Sequence, residues 1–247
     1  MKCKLCLLEK PLSKKSHIIP DFMYQGFYDE HHKIFKIKVK NPSNYTRQPS
    51  GEYEGSILCA HCDNVKIGKF ENYAARVLFG GSFTKDELPL FENQVNQYGV
   101  AYTQIQNLDY KKFKLFMLTI LWKASISKRD FFKNVKLGQY EEKVREMIYH
   151  EDPKEPQDFA CFISTIRRDL EYASQLTVEP SRVKAKQGSE YQFLIGGDMY
   201  LFHVPKFNGP IQILEECVIN KSGEMKVIHV REGTGEDLLK TFLGFKT

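Results

Sequence analysis

The feature that most constrains this chain is a pair of C-x-x-C motifs, Cys3 to Cys6 and Cys59 to Cys62. Two thiolates at this spacing fit on one tight turn and reach a single tetrahedral ion, and two such turns complete a four-cysteine zinc site. More than fifty residues separate the motifs, but the entropy of closing a loop grows only logarithmically with its length. We therefore predict a structural zinc ion held by all four cysteines.

Redox chemistry is the alternative explanation of a C-x-x-C motif. A redox pair needs a thioredoxin-like strand and helix around it, and the sequence offers no such context. Cys161 and Cys217 stand singly in apolar segments and are predicted to be core residues. The cysteines are expected to bind metal, no signal peptide is visible, and no apolar span reaches about 20 residues. We therefore expect a cytoplasmic protein without a membrane partner.

Positive charge is concentrated in residues 1–50, which contain ten Lys or Arg and four Asp or Glu, whereas the whole chain has a net charge of +5. A local basic excess predicts a surface that faces phosphates. The candidate nucleic-acid contacts are Lys14, Lys15, Lys36 and Lys38. The last two lie in a segment, 34–40, whose alternation predicts a strand, and lysines there could equally protect an exposed sheet edge.

Apolar periodicity predicts an α+β protein that divides at about residue 105. The first part, 1–105, should contain a zinc-stapled module with a short helix at 21–28 and a helix from Asp63 to about Leu78, ended by Gly80 and Gly81. The segment 41–55 is rich in Pro, Ser, Asn and Gly, which predicts an exposed loop.

The second part, 106–247, should begin with a helical middle. The segment 109–127 is apolar nearly all round, which predicts a buried helix, and a second helix should cover 138–150. The period then changes to two, which predicts a mainly antiparallel sheet accompanied by a closing helix. Its expected elements are strands at 159–166, 191–195, 199–204 and 211–218, a hairpin turn at 196–198 and a helix at 236–243.

Residues 1–75 resemble a known family. The first C-x-x-C motif is followed by Ser16-His-Ile-Ile-Pro20, and then by Leu58-Cys-Ala-His-Cys-Asp-Asn64 at the start of a predicted helix that contains Glu71. This combination resembles the HNH endonuclease family. The resemblance implies a ββα-metal fold for this part of the chain and hydrolysis of phosphodiester bonds in DNA.

The resemblance also implies roles for single residues. His17 would be the general base that takes a proton from the attacking water, work that suits an imidazole neutral near pH 7. The family's ligands for a catalytic Mg²⁺ or Mn²⁺ ion fall at Ser16 and Asp63. Asp63 supplies a hard oxygen ligand, whereas Ser16 stands where the family has Asp or Glu. The stretch 52–58 contains no counterpart of the family's central asparagine.

Helical spacing provides two further candidates. Asn64 and Glu71 are seven residues apart, and Gly68 between them leaves space on the same helix face. An amide and a carboxylate on one face can bind a divalent ion or orient a catalytic loop, so we name Asn64 as catalytic and Glu71 as a metal ligand. The alternatives are purely structural roles: Asp63 only caps the helix, Glu71 is solvated, and His17 is a buried structural histidine.

These patterns together predict a metal-dependent HNH-type endonuclease that acts on DNA, with defence against foreign DNA as an expectation from family analogy. RNA is a second substrate candidate. One HNH site acts on one strand, so a second copy of the chain or a protein encoded in the same operon is a partner candidate. The alternative is a non-catalytic zinc-binding module that binds nucleic acid or a protein, and the residues at Ser16 and 52–58 favour it.

Overall fold

The structure is a computed structural model. It describes residues 1–26, 28, 30, 31, 33–38, 41–48, 51–170, 174–185, 187–206 and 215–242, and it describes only the backbone of 34–38, 41–48 and 242. Both helices and strands are present, and four cysteines lie together near the N-terminus. The α+β class is therefore confirmed.

The elements of the described ranges are numbered in chain order. The α-helices are α1 (Gly68–Phe79), α2 (Tyr110–Ile126), α3 (Glu141–His150) and α4 (Gly235–Phe242). The strands are β1 (Ser16–His17), β2 (Ile34–Lys38), β3 (Asn41–Gln48), β4 (Tyr53–Glu54), β5 (Leu90–Val95), β6 (Ala101–Gln106), β7 (Cys161–Thr165), β8 (Leu176–Val178), β9 (Ser181–Ala185), β10 (Gly188–Ile195), β11 (Asp198–Pro205) and β12 (Met225–His229).

Most strands belong to one large sheet with the order β3-β2-β8-β10-β11-β7-β12-β6-β5, and β9 also pairs with β10. The pairs β2–β8 and β7–β12 are parallel and the others are antiparallel, so the expectation of a mainly antiparallel sheet is met. Strands from both sides of residue 105 enter this sheet, and the division into 1–105 and 106–247 stays a prediction.

Helix α2 lies at the centre of the core. It was expected at 109–127, and the Asp109 side chain caps its first turn by accepting a hydrogen bond from the Lys112 backbone at 2.9 Å. Its side chains from Phe113 to Ser125 are all buried, because α1, α3 and β7 pack around it. None of the helices in the described part of the chain is both long and apolar enough to cross a lipid bilayer.

The predicted hairpin at 196–198 is present between β10 and β11. Gly196 and Gly197 both have positive φ, 61° and 79°, which a two-residue turn matching the twist of its strands requires. Two other expectations fit less well. The predicted helix at 21–28 is a 3-10 turn at Asp21–Tyr24, and a second 3-10 turn replaces the predicted strand at Glu215–Cys217, while 211–214 lies outside the described residues.

The predicted loop at 41–55 is wrong over 41–48, where the chain forms β3 beside β2. Pro42 is compatible with β3 because this strand is at the end of the described sheet, where proline is tolerated. Since β2 pairs with both β3 and β8, its lysines do not protect a free edge. The side chains of Lys36 and Lys38 are not described, so their contact with nucleic acid stays a prediction.

Two glycines with the same backbone conformation give a test of the packing between β6 and β12. Gly223 and Gly233 both have φ of 80°, but a Cβ atom on Gly223 would lie 2.2 Å from the Leu108 carbonyl oxygen, whereas nothing lies within 4 Å of one on Gly233. We expect Gly233→Ala to cost about 1 kcal/mol of stability for its left-handed conformation. Gly223→Ala should cost about 1–3 kcal/mol more, because the backbone must move.

Urea denaturation of both variants measures these two free energies of unfolding. Equal losses in the two variants would mean that the close approach of the Leu108 backbone to Gly223 does not constrain the fold.

Candidate functional site

The four cysteines of the two C-x-x-C motifs converge. The Sγ atoms of Cys3, Cys6, Cys59 and Cys62 all lie within 4.8 Å of one another. A tetrahedral zinc–thiolate site with bonds of about 2.3 Å places its sulfur atoms about 3.8 Å apart. The geometry and the all-thiolate donor set therefore fit a metal ion such as zinc, and the expectation that these four residues lie together is confirmed.

Backbone hydrogen bonds build the two turns that carry the cysteines. The Cys59 N–H points at the Cys3 sulfur at 3.3 Å, and the Lys4 N–H donates to the Ile57 carbonyl at 2.9 Å. Burial raises the pKa of the Cys3 thiol, but the backbone donors of Cys59 and its own turn outweigh burial and bring the pKa to about 7. Burial and the neighbouring sulfur groups raise the pKa of Cys62, so a second thiolate in this cluster needs a cation beside it.

The cysteine cluster lies beside the short antiparallel strand pair β1–β4, in which Ser16 is opposite Glu54 and His17 is opposite Tyr53. The chain after β4 runs through Cys59 and Cys62 into a π-helical segment, His61–Ile67, which continues as α1. Two strands, a metal-binding turn and a helix therefore follow one another in space, with His17 on the first strand.

His17 lies partly exposed at the surface end of this arrangement. About 25% of its side chain is accessible, while its Nε2 atom is buried and 3.4 Å from a carboxylate oxygen of Asp21. The Tyr53 ring contacts the imidazole edge to face, with centroids 6.2 Å apart. Burial lowers the pKa of His17 below its ordinary value, and the Asp21 charge opposes this shift only in part. His17 is consequently neutral at pH 7, with one protected and one accessible side.

Ser16 and Asp63 meet, as the family pattern implied. The buried Ser16 hydroxyl donates a hydrogen bond of 2.8 Å to the Asp63 carboxylate. Asp63 lies within the π-helical segment, and its carboxylate contacts the Ser16 hydroxyl and the Lys123 ammonium, with no hydrogen bond from a described backbone N–H of that segment. The Asp63 carboxylate therefore joins the helix to β1 and is not a simple helix cap.

A buried lysine completes this cluster. Lys123 comes from the end of α2, is 1% exposed, and places its ammonium group between the two acidic residues of the helix. Its Nζ atom lies 3.0 Å from Glu71 Oε1, 3.7 Å from Asp63 Oδ1 and 2.8 Å from the His17 carbonyl oxygen. The ammonium thus donates to one backbone and one carboxylate oxygen, and the Asp63 carboxylate lies at an ion-pair distance.

The π-helical segment explains why Asp63 shares this contact with Glu71. Residues seven apart share a face of an α-helix, which made Asn64 the expected neighbour of Glu71. In the π segment the Gly68 N–H donates to the Asp63 carbonyl, five residues back. This turn therefore contains one residue more than a turn of an α-helix. Residues eight apart therefore meet at Lys123. Asn64 is exposed, makes no side-chain hydrogen bond among the described residues, and its catalytic role stays a prediction.

The acidic pair does not fit the expected Mg²⁺ or Mn²⁺ ion. Asp63 and Glu71 already have the Lys123 ammonium between them, and Ser16 donates to Oδ1 of Asp63, the same oxygen that faces the lysine. Two like unit charges 4 Å apart near a protein surface repel by about 4 kcal/mol, and a divalent ion doubles this repulsion. The site as folded therefore carries its own cation.

A cationic and aromatic surface borders His17. The Lys15 ammonium lies 4.6 Å from the centre of the Tyr53 ring, and the Arg129 guanidinium lies 5.6 Å from the same ring. Arg129 is 43% exposed although its Nε group also contacts Glu52 at 3.3 Å. Lys14 is exposed on the same segment as Lys15. Of the expected nucleic-acid contacts, Lys15 is therefore beside His17.

The sequence contained one overlooked signal for this site. Lys114 and Lys123 both occur in a helix that is apolar all round, and a fully buried lysine needs a partner. They are nine residues apart, so they leave α2 on opposite sides. Lys114 donates to the Glu155 carbonyl and the Tyr110 hydroxyl, whereas Lys123 points to the acidic pair. Spacing alone did not indicate which acidic residues would receive the second lysine.

Comparison of the chain with protein-family models, with curated proteins and with solved structures gave no match. The properties of the site therefore rest on its geometry and on the motif resemblance in residues 1–75.

The cysteine cluster gives a direct metal prediction. We expect purified protein to contain about one zinc ion per chain, as a closed tetrahedral site requires. Cys59→Ser should lose this zinc and unfold the β1–β4 region, because the binding free energy of a structural zinc is part of the folding free energy. Cys217→Ser changes a buried cysteine outside the cluster and should retain the ion. Elemental analysis measures the zinc content of the wild-type protein and of the two variants. A full zinc equivalent in Cys59→Ser would contradict the four-thiolate assignment.

Proposed function

We propose that the chain is an HNH-type endonuclease that hydrolyses phosphodiester bonds in DNA, with His17 as its general base. The observation that carries this proposal is the placement of His17 on β1, about 25% accessible, neutral and next to a cation-rich surface. A neutral imidazole with one protected nitrogen and one accessible side is suited to accept a proton from water. The ββα-metal fold of residues 1–75 is part of the proposal.

The chemistry asked of His17 is general-base catalysis. The Asp21 carboxylate, 3.4 Å from Nε2, favours the tautomer in which Nε2 carries the proton, so Nδ1 presents its lone pair to the attacking water. A distance of 3.4 Å is long for a hydrogen bond, and such contacts tighten when substrate is bound. The Lys123 bond to the His17 carbonyl holds the strand that carries the ring.

Substrate binding is proposed to use the surface formed by Lys15, Tyr53 and Arg129. Lysine and arginine neutralise phosphates, and a partly exposed tyrosine ring offers a face on which a base can stack. The ring is already bordered by two cations, so a single strand that passes His17 would meet charge and aromatic surface together. Defence against foreign DNA, action in the cytoplasm, and assembly with a second copy or an operon-encoded protein belong to this proposal by family analogy alone.

A specific observation favours a second candidate function, a non-catalytic zinc-stapled module that binds nucleic acid or a protein. Lys123 is placed between the carboxylates at which a catalytic Mg²⁺ or Mn²⁺ ion was expected. Without a Lewis acid, hydrolysis of DNA loses several kcal/mol of stabilisation for the developing charge. The same fold could then retain the binding surface and lack cleavage.

Plasmid nicking separates the two candidates. Wild-type protein should convert supercoiled DNA to the nicked form, and His17→Ala should be slower by 100-fold or more, because a general base contributes about 10²–10⁴-fold. His150→Ala, an exposed histidine on α3, is the matched control and should retain activity. The assay is run with Mg²⁺, with Mn²⁺ and with a chelator, and with single-stranded DNA and RNA as further substrates.

The pH profile provides an independent check on the role of His17. A base must be neutral to act, and burial places its pKa below the ordinary 6.5, so cleavage should be constant above about pH 6.5 and fall only at lower pH. Equal cleavage by wild type and His17→Ala, or cleavage of none of the substrates by wild type, would exclude the nuclease proposal and leave the binding module.

The binding surface is tested through its salt dependence. Lys15→Gln and Arg129→Gln should each weaken binding to DNA and reduce the slope of log K against log salt by about 1, because each removes one phosphate contact. Lys184→Gln changes an exposed lysine on β9 and serves as the control. Fluorescence anisotropy with a labelled single strand measures all three, and an unchanged slope in both surface variants would move the nucleic-acid contact elsewhere.

A further inference from the structure

Lys123, a side chain of the core helix α2, lies between Asp63 and Glu71, the two acidic residues of the site. Lys123 belongs to the last turn of α2, whose neighbouring side chains are all buried, so its ammonium is placed by packing and not by a mobile surface chain. It lies 3.0 Å from Glu71 and 3.7 Å from Asp63, and it is 1% exposed. We propose that Lys123 is the resident cation of this site and that the wild-type chain binds no divalent ion there.

The hydrogen-bonding capacity of the group supports this assignment. An ammonium has three donors and no acceptor. Nζ donates to a Glu71 oxygen at 3.0 Å and to the His17 carbonyl oxygen at 2.8 Å, and an Asp63 oxygen lies at an ion-pair distance of 3.7 Å. A buried ammonium is stabilised by nearby anions, and both carboxylates already compensate the charge of Lys123, so a second cation would compete with the lysine for them.

The charge of Lys123 also determines whether a divalent ion can bind beside it. With Lys123 in place, a divalent ion near the two carboxylates would be desolvated against a like charge. With a neutral side chain of similar length in its place, Asp63 and Glu71 would be two partly buried carboxylates without a counter-ion, which is the donor type that Mg²⁺ and Mn²⁺ prefer. Replacing the lysine should therefore create a divalent-ion site that the wild-type protein lacks.

This exchange of cations holds whether or not the chain cleaves nucleic acid. If it does cleave, cleavage by the wild-type protein should persist in a chelator that leaves the four-cysteine zinc in place. The lysine acts on catalysis as a positioning residue, because it bonds the His17 backbone and not a substrate atom. A binding-only protein would show the same pattern of metal binding without any cleavage.

Titration with Mn²⁺ alone tests the proposal, with free Mn²⁺ followed by electron paramagnetic resonance. Zinc-loaded wild type and Lys114→Met should bind Mn²⁺ at least tenfold more weakly than Lys123→Met, which should bind about one ion per chain. Lys114 is the matched control because it is also buried on α2 but contacts no carboxylate side chain. Adding Glu71→Gln to Lys123→Met should remove the new site, and the thermal midpoint of Lys123→Met should rise with Mn²⁺.

Two results would overturn the proposal. One is a stoichiometric Mn²⁺ site in the wild-type protein that Glu71→Gln or Asp63→Asn removes, since the carboxylates would then serve a divalent ion despite Lys123. The other is a folded Lys123→Met protein that binds Mn²⁺ no more tightly than wild type. The wild-type titration tests the proposal even if Lys123→Met does not fold. Wild-type protein that shows no Mn²⁺ site at Asp63 and Glu71 supports the lysine as the resident cation.

Discussion

The candidate site depends on the convergence of four sulfur atoms. Cys3 and Cys6 precede β1, while Cys59 and Cys62 precede α1, so an ion held by all four places the His17 strand against the start of that helix. A closed four-thiolate ion has no open position for a substrate. The contribution of such an ion would be structural.

The second constraint is electrostatic. One ammonium group connects three elements, because Lys123 from α2 contacts the β1 backbone and two carboxylates of the helix region. The two acidic groups close to this buried charge stabilise it. The two proposed functions differ in what they require of this group. A nuclease uses it to hold the His17 strand in register, whereas a binding module uses it only to keep the fold together.

Local patterns in the sequence predicted what depends on near neighbours. The cysteine spacing, the limits of α2 with its Asp109 cap, and the Gly196–Gly197 turn were all recognisable, because each is decided within a few residues. The contact between Lys123 and Glu71 was not predictable, since it joins residues that only the folded core brings together. The π-helical turn was not predictable for a related reason, since one additional residue in a turn leaves no signature in composition. Because of this residue, Asp63 and not Asn64 lies next to Lys123. The strand β3 was mistaken for a loop because its Pro and Asn residues are typical of turns.

The position of β2 has a consequence for the order in which the site is assembled. This strand lies in sequence between the two cysteine pairs, but its parallel partner is β8, with Phe35 opposite Leu176. During synthesis from the N-terminus, all four cysteines are available for a metal ion well before α2 or β8 exists. Metal capture can therefore come first, while the strand that carries His17 gains its contact with Lys123 only after α2 has been made. A nascent chain would hold zinc before it holds a finished site.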